Sequence, residues 1–187
     1  MVIDFAFQFK QLLIAQDEPT FSDFYQETVD IFYRYLKANY TLSPQECDDI
    51  IADFYVKCRN ALPKYDVQQN FSGYLWSIFK NNLKDFWKKR EDLVFSAIGD
   101  GEGEDSFADQ LADPEDFTEI LQTEFSFEQI QAAMRQLDSM SQDVVFLKFI
   151  QEKEYGEIAG ILGISQESAR QKCSRALKHL KILIENI

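Results

Sequence analysis

Histidine is nearly absent from this chain: His179 is the one copy in 187 residues. Acid–base and metal chemistry lean on that residue type, so its scarcity argues against an active site. Glycine is also scarce, seven in all, and none of it forms a glycine-rich phosphate loop. The three cysteines, Cys47, Cys58 and Cys173, fall inside amphipathic helical patterns and read as reduced core thiols. A zinc site built from them with His179 fails on geometry, because Cys173 and His179 stand six residues apart on one helix and point in different directions. No apolar run approaches the length of a membrane span. The opening MVIDFAFQFKQLLIAQDEP is hydrophobic, but Asp4 and Lys10 interrupt it and no small-residue cleavage site follows. The expectation is a soluble cytoplasmic protein whose first segment is a packing helix or strand.

Positive charge is missing from one stretch altogether. From Glu91 to Ser126 there are twelve acidic residues and no Lys or Arg. The formal net charge of -13 is therefore concentrated there, since the remaining 20 acids nearly balance the 19 bases. Gly99, Gly101 and Gly103 break up GDGEGEDS, and self-repulsion favours an extended tether. Such a tether would have a root-mean-square span of about 35 Å and a full reach of about 120 Å. Its carboxylates lie on a flexible segment rather than opposed on rigid elements, which does not make a catalytic pair.

What remains on either side is helical in pattern. Phe21, Phe24, Tyr25, Ile31, Phe32, Tyr35 and Leu36 mark a first apolar stripe. Ser43, Pro44, Gln45, Glu46 is a capping box with proline at the first helical position, and Pro63 ends the helix it opens. Ile50, Ile51, Phe54, Tyr55, Cys58 and Leu62 form that helix's buried face. A polar loop, KYDVQQN, leads into FSGYLWSIFKNNLKDFWKKR, where Leu75, Ile78, Phe79, Leu83 and Phe86 supply a core stripe. Lys80, Lys84, Lys88, Lys89 and Arg90 charge its other side. The interleaved aromatics Tyr65, Phe71, Tyr74, Trp76 and Trp87 suit a helical core, and they also suit a surface for single-stranded nucleic acid.

The C-terminal segment has a sharper signature. Ile158, Ala159, Ile161 and Leu162 make a short amphipathic helix, Gly163 supplies a corner, and Ser165 caps a second helix with Glu167 in its first turn. That is the order of a helix-turn-helix. On the second helix Ala169, Cys173, Ala176, Leu177, Leu180, Leu183, Ile184 and Ile187 share one stripe, while Glu167, Gln171, Ser174, Arg175 and Lys178 lie opposite, flanked by Arg170 and Lys172. The outer face is polar and mostly basic. Before it, Ile130, Met134 and Leu137, then Val144, Val145, Leu147 and Phe149, mark two further helices.

Three segments in order carry a family resemblance. DDIIADFYVKCRNALPKYD resembles the helix by which bacterial RNA polymerase sigma factors of the extracytoplasmic-function group grip the polymerase clamp. FSGYLWSIFKNNLKDFWKKR resembles the helix that opens and reads the minus-ten element, and LDSMSQDVVFLKFIQEKEYGEIAGILGISQESARQKCSRALKHL resembles the region that reads the minus-thirty-five element. The likeness spans nearly the whole chain, with the acidic tether where this group has a linker. It implies an all-α protein of two small helical domains: residues 1–90, binding core polymerase and the minus-ten strand, and residues 127–187, a helix-turn-helix domain, joined by the flexible linker 91–126.

The implied function is that of a sigma factor, which binds core RNA polymerase, directs it to promoters and helps melt the minus-ten region. It is not an enzyme and needs no cofactor. Its partners would be core polymerase and promoter DNA, duplex and melted, with room for an anti-sigma factor and no membrane insertion. At the minus-thirty-five element Arg170 and Gln171 are expected on base edges, Glu167 on cytosine, and Lys172, Arg175 and Lys178 on phosphates. At the minus-ten strand Lys80, Asn81, Lys84 and Lys88 are the candidates, with the loop from Lys64 to Asn70 as the pocket for a flipped base and Tyr65 and Phe71 as its walls. Asp49 and Asp53 are expected to meet basic polymerase helices, since carboxylates repel phosphates. The rival reading is a free-standing helix-turn-helix regulator acting without polymerase.

Overall fold

The computed structural model describes residues 6–93 and 127–185. The expected tether lies, apart from its first three residues, outside the described residues, and so does Ile187. Every described element is helical, as the periodicity predicts. A first group comprises α1 (Phe7–Ile14), α2 (Glu18–Asn39), α3 (Pro44–Ala61), a 3-10 turn (Leu62–Lys64) and α4 (Phe71–Leu93). A second comprises α5 (Phe127–Met134), α6 (Ser139–Val145) with a π-helical continuation over Phe146–Ile150, α7 (Tyr155–Leu162) and α8 (Gln166–Glu185). Among the described residues no helix is long and apolar enough to cross a membrane.

Side chains punctuate these helices where backbone amides would otherwise go unpaired. The Asp17 carboxylate accepts from Thr20 N at 3.0 Å and opens α2, whose first turn carries Pro19. At α3 the Ser43 hydroxyl accepts from Glu46 N at 3.2 Å while the Glu46 carboxylate accepts from Ser43 N at 2.8 Å, the reciprocal box that the sequence announces. Asn70 does the same for α4, accepting from Gly73 N at 2.8 Å. Asp138 opens α6 by accepting from Met140 N and Ser141 N, both at 3.0 Å.

The first group is held by an aromatic core. Phe24, Phe32, Tyr35, Phe54 and Phe79 are fully buried, and Phe32 packs on Phe54 and Phe79 with ring centroids 4.4 and 4.6 Å apart. Asn82 is buried with them and donates to Ile50 O at 2.8 Å, pinning α4 to α3. The second group packs Phe146, Ile158, Ala169, Cys173, Leu177 and Leu180 out of solvent. All three cysteines are free and buried, as their helical positions imply. The two groups also touch: α4 lies against α7 and α2 against α5, so their buried residues join into one cluster.

Candidate nucleic-acid interfaces

The corner between α7 and α8 is set by two local choices. Gly163 takes the left-handed conformation, φ 69° and ψ 30°, at the end of α7, where a side chain would be strained. Two residues later the Ser165 hydroxyl accepts from Ser168 N at 3.1 Å and starts α8. With α8 so aimed, Ala169, Cys173, Ala176, Leu177, Leu180 and Ile184 face the core. Glu167, Arg170 and Arg175 are exposed, and Gln171, Lys172 and Lys178 are half-buried at the margins. Ser174 departs from the helical-wheel reading: it is 7% exposed, because the core wraps further round α8 than its apolar stripe implies.

Two of these side chains are oriented by neighbours. The Arg170 guanidinium sits 5.7 Å from the centre of the Tyr155 ring, which also has Lys148 Nζ 4.9 Å away. Burial, with Cys173 alongside, pushes the Tyr155 phenol well above its ordinary value, so the ring stays neutral and keeps its electron-rich face for the cations. Gln171 donates to the Glu167 carboxylate at 3.2 Å, one turn back. Burial pushes the Asp138 carboxyl up, but hydrogen bonds from Ser141 and Met140 together with the nearby Lys172 cation bring it below its ordinary value. The sequence pattern did not single out Tyr155 as the residue under Arg170, because cation–ring contacts cross between helices.

On α4 the expected strand-binding residues divide. Asn81, Lys84 and Lys88 are exposed on one side of the helix. Lys80 is not: its side chain is 18% exposed, and Nζ lies 2.9 Å from Asp143 Oδ1, 2.8 Å from the Tyr35 hydroxyl and 2.9 Å from Ser139 Oγ. Tyr35 donates its hydroxyl proton to the same Asp143 oxygen. Burial pushes the Tyr35 phenol far up, so it remains a donor. Burial also raises the Asp143 carboxyl, and the Lys80 cation offsets only part of that rise. Lys80, expected at the minus-ten strand, is thus engaged by a carboxylate that the helix-turn-helix group supplies. Asp143 was the missed residue, and a lone acid ahead of the apolar run Val144, Val145, Phe146, Leu147 was the signal for it.

The expected walls of the base pocket are corrected as well. Tyr65 is 6% and Phe71 4% exposed; their rings pack edge to face at 5.1 Å, and Tyr65 donates to Gln69 O. They pack beneath the loop because the 3-10 turn lies against α1 and the Phe71 ring meets Phe24 of α2 at 6.4 Å. The loop's exposed residues are Lys64 and the run Asp66 to Asn70. On α3, Asp49 and Asp53 are exposed as expected, with Asp53 3.6 Å from Lys57. Between them and one turn on, Ala52 is exposed and Val56 is 59% exposed, an apolar strip edged by acids that the sequence pattern alone did not isolate.

Comparison with known proteins yields a consistent picture. The family model for sigma-70 region 2 matches residues 20–92, and that for sigma-70 region 4 matches residues 127–180. The RNA polymerase sigma factor CnrH of Cupriavidus metallidurans is 25% identical over 144 residues, covering 75% of this chain and 74% of its own. The RNA polymerase sigma factor YlaC of Bacillus subtilis is 26% identical over 165 residues, covering 88% and 89%. Among solved structures, CnrH in complex with the cytosolic domain of CnrY is similar with a TM-score of 0.66 at 17% identity, covering 95% of this chain and 96% of that one. The sigma factor RpoE of Bartonella quintana, in complex with the anti-sigma factor NepR, has a TM-score of 0.56 at 19% identity, covering 88% and 98%. These two likenesses extend to the fold.

Proposed function

We propose, from the premise that this chain belongs to the sigma-70 family and to its extracytoplasmic-function group, that it binds core RNA polymerase, carries it to promoters and helps separate the minus-ten strands. The observation that supports this best is the outer face of α8, where Arg170, Arg175 and Glu167 stand exposed on a helix aimed by the Gly163 corner. A helix so presented fits the major groove, where base pairs can be told apart without opening the duplex. Arg170 and Gln171 then meet base edges and Glu167 a cytosine, while Lys172, Arg175 and Lys178 meet phosphates.

Asn81, Lys84 and Lys88 on α4 support binding of the separated strand: two cations track the backbone and one amide pairs with a base edge. Asp49, Asp53 and the exposed Val56 suit a basic, partly apolar polymerase helix better than they suit DNA. The domain reading of residues 1–90 and 127–187, joined by the acidic 91–126, assigns one promoter element to each end. The similar RpoE structure was solved with the anti-sigma factor NepR bound, and we extend that partner class to this chain. Transcription reconstituted with core polymerase on genomic fragments tests the reading. Transcripts with defined starts should require both core and this chain; specific DNA binding without core, and no transcripts with it, would favour a free-standing regulator.

A further inference from the structure

Arg170 and Arg175 both stand on the exposed face of α8, yet they are held differently. Among the described residues neither arginine belongs to an ion pair. Arg170 instead has the Tyr155 ring, 5.7 Å from its guanidinium, and among the described residues no such ring lies under Arg175.

Tyr155 is itself fixed. It is the first residue of α7, in a turn closed by the Glu157 carboxylate, which accepts from Glu154 N at 2.8 Å, and its ring packs on the core. Cys173, fully buried and one turn beyond Arg170, lies beside its hydroxyl. One ring from α7 thus meets two successive turns of α8, at a sulfur and at a guanidinium. Lys148 shares the ring, but Glu154 stands 3.7 Å from its ammonium and meets part of that charge.

An arginine that reads a base needs more than one that neutralises a phosphate. Guanine O6 and N7 are met by two N–H groups of one planar fork, so the plane and the reach must both be right. A long side chain loses rotamer freedom when it is fixed in a groove, and one already laid on a ring loses less. We propose that Tyr155 is a positioning residue for base reading: its ring holds the Arg170 fork at the plane and reach of a guanine edge, whereas Arg175, without such a brace, serves phosphates whatever the sequence. The proposal rests on the promoter-binding reading given above and assigns part of the specificity of α8 to a residue on α7.

The test combines the full chain with core polymerase and selects transcribed templates from a promoter library randomised across the minus-thirty-five element. Arg170→Ala should flatten a guanine preference at one position, and Tyr155→Leu should lower it at that same position by about 2- to 30-fold, the range of a cation held on a ring. Tyr155→Phe, which keeps the ring, should restore the preference. Tyr155→Leu added to Arg170→Ala should change nothing further there. Leucine also loosens the packing around a half-buried tyrosine, but a loosened helix-turn-helix lowers output from every template alike, whereas a lost brace flattens one position. Phenylalanines with one, two and three ring fluorines in place of Tyr155 keep the shape while draining the negative face, and the preference should fall stepwise along that series. A preference indifferent to fluorine would overturn the proposal, as would Arg170→Ala without loss of a guanine, or an equal effect of Tyr155→Leu with and without Arg170. A wild type that yields no transcripts with core overturns the promoter-binding reading and the brace together; a selective wild type beside a flat fluorine series defeats the brace alone.

Discussion

Ser43 shows how much rests on one hydroxyl. It accepts from Glu46 N at the first turn of α3, so Ser43→Ala should cost about 1 kcal/mol of stability, read from urea unfolding at neutral pH. The partner carboxyl is held below its ordinary value of 4.5 by hydrogen bonds from the Ser43 backbone N–H and hydroxyl. A depressed folded value means the contribution is present above 4.5 and is lost as pH falls through the folded value. The gap between wild type and Ser43→Ala should therefore narrow in acid, and a gap independent of pH would show that the box is not formed. Gly163 is a second such position: at φ 69° with nothing within 4 Å of its would-be Cβ, Gly163→Ala should cost about 1 to 2 kcal/mol through backbone strain alone.

At the scale of elements, α8 and α3 are expected to fail in different ways. Arg170→Ala should redistribute preference among minus-thirty-five sequences by about 1 to 3 kcal/mol, whereas Lys178→Ala should weaken all of them alike and lower the salt dependence of binding. Comparing promoter panels at two salt concentrations separates the two. Tyr155, beneath Arg170, is part of the same unit, so Tyr155→Leu should shift preference in the direction of Arg170→Ala. On α3, Val56→Arg should abolish capture by core polymerase while leaving thermal stability within about 0.5 kcal/mol, because the side chain is 59% exposed. Retained capture would move the polymerase surface off α3.

For the whole molecule, the continuity of buried residues across the two groups of helices predicts cooperative unfolding. Calorimetry of the wild type should give one transition. Gly73→Leu, which wedges α4 from α7, should split it into two, since each group keeps a core of its own: Phe32, Phe54 and Phe79 in one, Ile158, Cys173 and Leu180 in the other. A single transition in both proteins would mean that one group cannot stand without its neighbour.

The sequence by itself determined the helices, their caps and the faces they bury. Those are local properties: Ser43 and Glu46 lie three residues apart, Gly163 and Ser165 two, and an apolar stripe repeats every turn. The exposed side of α8 and the burial of Cys47, Cys58 and Cys173 follow from that repeat. Only the tertiary structure decided where Lys80, Tyr65 and Phe71 would go. Tyr65 and Phe71 are claimed by a core assembled from several helices, and Lys80 meets a carboxylate 63 positions away in the chain. Periodicity reports which way a side chain leaves its own helix, and it is blind to what another helix brings to meet it; long-range packing and charge decided that meeting at Asp143.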